Sequence, residues 1–267
     1  MAFGCGWSMP QPTLDLESYS EAGFVWDDAT CKWHAPRGAR TKGLSAVGSV
    51  VYWEHPSTEI LTMSYDLCDG RGVRRWRPGD PPPLDLWAHV ASTGATLESH
   101  NAMFERGGWE NVLVARHGWP PLPPHVQRCS MATAHVDQYP GALGKLGPVL
   151  GLDVTKDKDG KRLIDKFCMP RNPTKADPRT RIWPKDDLDD FERLCAYCDQ
   201  DVRSEMAAAD AMDSMTHAET GIWLIDQEIN HRGIAIDRAA VRDCLAILDQ
   251  VLDQYGRECR ILTGGIV

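Results

Sequence analysis

Leu14-Asp15-Leu16-Glu17-Ser18 is the stretch on which the fold turns. In an extended chain alternate side chains leave on the same side, so Asp15 and Glu17 project together while Leu14 and Leu16 point the other way. Two like charges on one face repel unless a cation sits between them. The pair therefore reads as half of a metal site, with the other half supplied from elsewhere in the chain. Two later segments offer it. In Ser99-His100-Asn101-Ala102-Met103-Phe104-Glu105, Asn101 and Glu105 are four residues apart, and in Tyr197-Cys198-Asp199-Gln200-Asp201 so are Tyr197 and Asp201. On a helix, that spacing places both members on one face.

Working outward, 267 residues suit one α/β domain of roughly 200 residues plus an appendage. No run approaches the roughly 18 apolar residues of a membrane span. Residues 1–10 lack the basic and apolar blocks of a secretory leader, so a cytoplasmic location is expected. Nine scattered cysteines argue for reduced thiols rather than a disulfide frame. A net charge of −9 argues against nucleic acid as a partner until it is resolved along the chain. Lys156 to Lys185 carries ten Lys or Arg against four Asp, whereas Asp186 to Glu219 carries eleven acids against Arg193 and Arg203. A basic arm beside an acidic helix suits an enzyme that grips a polyanion with one and metal ions with the other. It equally suits a solvated loop beside a solvated helix.

In chain order, Glu21 to Gly43 reads as a loop, and Leu44–Trp53 and Glu59–Leu67 as two strands joined by the turn His55-Pro56-Ser57-Thr58. Asp69 to Pro83 reads as a loop and Leu84 to Ser92 as a helix. Ala95 to Ser99 is a strand, and a helix follows from His100-Asn101 to about His117. After the break at Pro120–Pro124 come a strand over Val126–Cys129 and short helices over Met131–Val136 and Ala142–Leu150. Lys156 to Pro184, with prolines at 170, 173 and 178, reads as an irregular arm. Asp186 to about Met215 is a long helix carrying Tyr197 and Asp201. Past Gly221, two further helices are expected, the second capped by Asp237, with apolar stripes that little downstream would cover.

Asp15, Glu17, Glu105 and Asp201 offer oxygen only, which favours Mg²⁺ or Mn²⁺ over zinc. Two such ions about 3.5–4 Å apart suit displacement at phosphorus. Asp15, central on its strand, is placed to bridge both, with Glu17 and Asp201 on the nucleophile side, Glu105 on the leaving-group side and Tyr197 orienting water. The three segments, in this order, resemble the three motifs of the DEDD-type 3′–5′ exonucleases, in the branch that uses a tyrosine. The resemblance covers residues 12 to 215. It implies a ribonuclease H-like α/β fold with a mixed central sheet flanked by helices, and release of 5′-monophosphates from the 3′ end of single-stranded or frayed DNA. On that resemblance Ser18 would meet the terminal 3′-OH and Phe104 and Asn101 the terminal nucleotide. Lys161, Arg162 and Lys166 would track the phosphates. The second motif usually ends in Asp, where this chain has Glu105.

Lys156–Ile164 and Glu228–Asp237 also resemble segments of phage family A DNA polymerases. The expected organisation is an exonuclease domain over residues 1–220 and the helical start of a polymerase domain over 221–267, with the rest of that polymerase as partner in a longer chain. Each acidic pair alone is equally compatible with a solvated strand, a helix cap or a helix surface. An RNA-trimming exonuclease and a binding or spacer domain with a decayed site remain open as alternatives. Cys195 and Cys198 lie on the apolar stripe of the long helix with no second pair, so they read as core rather than zinc ligands. Trp26, Trp33 and Trp183 are candidate base-stacking residues, and His100 and His135 are expected to be scaffold.

Overall fold

The computed structural model describes residues 11–152 and 159–266. Lys156 and Lys158 of the expected basic arm lie outside the described residues. Strand β1 (Thr13–Tyr19) is the centre of a five-stranded mixed sheet. Leu14 and Leu16 are buried on one face, while Asp15 and Glu17 are half-buried on the other, as the alternation requires. The residues from Glu21 to Gly43, expected as a loop, include a two-stranded hairpin of β2 (Val25–Asp27) and β3 (Lys32–His34), held by Trp26 against Trp33 with ring centroids 5.2 Å apart.

Leu44–Glu54 is a helix, α1, and not the strand its β-branched composition suggests. Gly48 (φ 78°, ψ 168°) breaks its regularity, and Trp53 at its end decides the packing. The Trp53 ring lies directly on the backbone of Gly107 and Gly108, where any Cβ would overlap it. Tertiary packing thus overrides a weak local preference. The turn at His55–Thr58 joins this helix to β4 (Glu59–Asp66), which pairs antiparallel with β1.

The stretch Asp69–Pro83, expected as a loop, contributes the short edge strand β5 (Arg74–Trp76). Helix α2 (Leu84–Val90) leads to β6 (Leu97–Ser99), parallel to β1. A continuous helical segment follows as α3 (Ala102–Gly108), a wider π turn over Trp109–Val114, and α4 (Ala115–His117). Strand β7 (Gln127–Cys129) completes the order β5-β4-β1-β6-β7.

Short helices α5 (Ser130–Val136) and α6 (Leu143–Val149) come next, and then α7 (Gly160–Phe167) where an irregular arm is expected. The three prolines that suggested irregularity all follow Phe167, and Leu163 and Phe167 are fully buried. The long helix α8 (Leu188–Asp210) packs with α7 on the Asp15–Glu17 side of the sheet, around Tyr19, Leu61, Phe191 and Leu194. On the opposite side α1 and α3 cover Leu14, Leu16 and Met63.

The chain divides into two compact units, one running to Leu224 and one from Ile225. Helix α9 (His217–Arg232) crosses that division, and α10 (Arg238–Leu262) belongs to the second unit. Asp237 caps α10 as expected, accepting from the amides of Ala239 and Ala240, and Leu245, Leu248 and Leu252 are exposed on it. Among the described residues no helix is long and apolar enough to cross a membrane.

Candidate metal centre

Residues from β1 and α8 meet on the side of the sheet that α8 covers. One carboxylate oxygen from each of Asp15, Glu17 and Asp201 lies within 4.8 Å of the other two, the spacing at which one cation can bind all three. A register shift between β1 and β4 at Glu17/Ser18 marks a bulge at the end of this acidic pair. Bulges re-aim side chains, and this one sits where Glu17 must lean toward α8. Tyr197, one turn before Asp201, hydrogen-bonds to the Asp201 carboxylate. Burial, the charges of Asp201 and Glu17 and that hydrogen bond push the Tyr197 phenol far above its ordinary range, so it stays protonated. Gly160 at the start of α7 lies against the Tyr197 ring, in space a Cβ would fill.

Glu105 reaches the neighbourhood from α3 but stands outside the group of three. It is 7% exposed and its Oε2 has no hydrogen-bond partner. Burial and the charges of Asp15 and then Glu17 hold its carboxyl well above the usual carboxylate range. An orphaned buried carboxylate near a close triad of carboxylates suits a hard divalent cation. Asn101 does not share a helical face with Glu105. It is exposed just before the helix with φ 73°, so the four-residue spacing does not act as a helical one.

Two thiols touch the first pair of acids. Cys198 Sγ is 3.5 Å from Asp15 Oδ2 and Cys168 Sγ is 3.7 Å from Glu17 Oε2. Burial, with the charges of Asp15 and Glu17 respectively, pushes both thiols well up, so they donate. Cys195 and Cys198 are core residues, as expected.

A cavity of about 240 Å³ adjoins Glu17 and Ser18, lined also by Phe24, Lys42, Tyr52, Phe104 and Met169. Phe104 is half-buried and packs on Trp53, with centroids 4.7 Å apart, while one side of it faces the cavity. The Ser18 hydroxyl is 2.8 Å from the Tyr52 hydroxyl. Tyr52 thus holds the group expected to meet a 3′-OH. Nothing in the sequence pointed to Tyr52, because its segment read as a strand.

The expected phosphate-tracking residues lie on α7. Lys161 pairs with Asp165 and is largely exposed, whereas Arg162 pairs with Asp190, and Lys166 with Asp187 and Asp190. Trp26 and Trp33 pack on each other, and Trp183, 44% exposed, carries the Arg181 guanidinium 3.7 Å over its ring. His100 is scaffold, its ring nitrogens 2.9 Å from Ser130 Oγ and 2.7 Å from the Gly141 carbonyl.

Two further acids were missed. Glu98 on β6 is pushed up to about 7 by burial, against the pull of Arg128. Glu205, one turn beyond Asp201 on α8, is 3% exposed. The same four-residue spacing that linked Tyr197 to Asp201 would have found it.

No family model matches the chain. Over 225 residues it is 33% identical to a DNA polymerase of Bacillus phage SP02, an alignment covering 83% of this chain and 34% of that polymerase. The chain thus spans about a third of the length of the polymerase it matches. It is a sequence relative of a phage DNA polymerase, over a region that includes most of the sheet-bearing unit or all of it.

Proposed function

We propose that this chain is a metal-dependent 3′–5′ DNA exonuclease domain of ribonuclease H-like fold, the editing part of a longer phage-type DNA polymerase. The observation that carries the reading is the convergence of Asp15, Glu17 and Asp201 within 4.8 Å of one another, with Tyr197 hydrogen-bonded to the last. A mixed sheet with helices on both faces supports it, as does the similarity to a polymerase far longer than this chain.

In this reading Asp15, Glu17 and Asp201 would hold Mg²⁺ or Mn²⁺, and Glu105 would help to hold a second such ion. When bound, such ions activate water and stabilise the departing 3′ oxygen. The chain's own residues supply position. Tyr197, held as a neutral phenol whose hydrogen is donated to the Asp201 carboxylate, accepts from the attacking water, and Asp201 fixes the direction of its hydroxyl. Gly160 lets α7 close against the ring and limits its swing. The cavity beside Glu17 receives the terminal nucleoside, with Phe104 along one wall and Tyr52 and Ser18 at its polar edge. A terminal nucleotide must leave the stack to enter, so frayed or single-stranded ends are preferred. Residues beyond Gly221 begin the polymerase part, which is the partner in the same chain.

A 5′-labelled single-stranded DNA oligonucleotide incubated with Mg²⁺ or Mn²⁺ tests the proposal. The expected result is a ladder shortening from the 3′ end, lost with the Asp15→Ala, Glu17→Ala double variant. A ladder that persists in the double variant, or faster cutting of a matched RNA, would sink it.

A further inference from the structure

Tyr197, Asp201 and Glu205 form one row along α8, spaced by one helical turn. Glu205 is 3% exposed and its Oε2 has no hydrogen-bond partner. Glu105, arriving from α3 on a different part of the chain, is in the same state, with its own Oε2 orphaned. The charges that bear most on Glu205 are all negative, from Asp15, Glu105, Asp201 and Glu98. Those that bear most on Glu105 are from Asp15 and Glu17.

An unsatisfied buried polar group costs roughly 1–3 kcal/mol, and more when it is charged. Two such groups facing further carboxylates are a liability that packing alone would remove with Gln, Met or Leu. Elsewhere on the same helix a buried acid is matched in the usual way. Asp199 receives both arms of Arg75, at 2.8 and 2.6 Å, and the Ser64 hydroxyl. Buried carboxylates are normally paired or bound to metal. Glu105 and Glu205 lack the first arrangement; both feel the charge of Asp15, and Glu205 lies one helical turn from Asp201, on the same face of α8.

We propose that Glu205 is a fifth carboxylate of the metal centre, which together with Glu105 and Asp15 holds a second divalent cation beside the one at Asp15, Glu17 and Asp201. The inference rests on the metal-dependent reading above and extends it by a ligand-supplying residue outside the three motifs. Two divalent ions bring four positive charges to five carboxylates, which removes the repulsion each acid suffers in the bare protein. Glu205 acts on the ion directly or through one water of its shell. In either case its carboxylate, and not merely its bulk, is required.

Mn²⁺ binding to the full chain, followed by the loss of the free-ion paramagnetic signal and by calorimetry, tests this without recourse to activity. The wild type is expected to take up two ions. Glu205→Gln should keep the tighter step and weaken the other by about 10- to 100-fold, the range for outer ligands of metal sites. Glu105→Gln should weaken the same step. Thermal unfolding in EDTA should place E205Q at or above the wild type, with a smaller gain on adding Mn²⁺.

Two ions bound by both variants with wild-type affinities would overturn the inference and leave the triad intact. So would an E205Q protein that is less stable in EDTA yet unchanged in Mn²⁺ uptake. Should the wild type take up no Mn²⁺, or D15A/E17A still bind as the wild type does, the metal-dependent reading itself fails. Should E205Q not fold, Glu205→Asp, which keeps the carboxylate and shortens its reach, takes its place, and two ions bound by it with wild-type affinities would overturn the inference.

Discussion

The two halves of α8 carry the same side chains in opposite settings. Toward its start, Asp187 and Asp190 are paired with Lys166 and Arg162, Glu192 with Arg75 and Arg77, and Asp199 with Arg75. Toward its end, Asp201 meets Asp15 and Glu17, and Glu205 is buried among negative charges with an orphaned oxygen. The acidity of a helix is therefore not one property. Acids with basic partners fasten the helix to β5 and α7, whereas acids gathered against other acids keep a repulsion that a proton or a bound cation relieves. The basic residues that the linear charge pattern assigned to a polyanion are partly spent on the first group.

The sharpest break of this comparison is between Asp201 and Asp190. Asp201→Asn should lower nuclease activity by about 10³-fold, the several kcal/mol expected when metal-held charge stabilisation is lost. Asp190→Asn should leave turnover unchanged and cost only stability. Equal effects on kcat from the two variants would erase the distinction.

Glu98 tests the buried acids through pH. Its folded-state pKa, near 7, lies above its ordinary value of 4.5, so the protonated form is favoured by folding. Its contribution is complete below about pH 4.5 and is lost as pH rises through 7, a fall of about 3 kcal/mol for this group. Urea unfolding in EDTA at pH 5 and pH 7.5 should show most of that fall, reduced by the corresponding amount in Glu98→Gln. An E98Q protein with the wild-type pH slope would count against it.

Tyr197→Phe removes the hydroxyl and keeps the ring that Gly160 packs on. Activity should fall by about 10²-fold with little change in Mn²⁺ affinity, the lower range for an acid–base or water-orienting group. A parallel loss of Mn²⁺ binding would make Tyr197 a support for Asp201 and nothing more.

The smallest effect is expected at Lys161. Its exposed pair with Asp165 contributes about 0.3–0.5 kcal/mol at most. Lys161→Ala should therefore barely alter stability. If α7 follows the phosphates, the logarithmic salt slope of single-stranded DNA binding should drop by about one. An unchanged slope removes this helix from the interface.

The local rules that read well were those with a short reach. Alternation put Asp15 and Glu17 on one side of β1, and helical spacing put Tyr197 beside Asp201, because both depend only on backbone geometry. Rules that ignore neighbours failed where packing decided. The β-branched run Leu44–Trp53 became a helix to lay Trp53 on Gly107 and Gly108, and the supposed arm became α7 because Leu163 and Phe167 had a core to enter.

What the amino-acid order alone determined is therefore which side chains share a face within one element, and hence the pairs from which a cation site can be assembled. Only the tertiary structure decided which pairs meet, that Asn101 is held outside its helix, that Glu205 sits out of water among the charges of Asp15, Glu105 and Asp201, and that Glu98 is buried near Arg128. The physical reason is that periodicity is a property of a single backbone, while burial and electrostatic company come from other elements tens or hundreds of residues away.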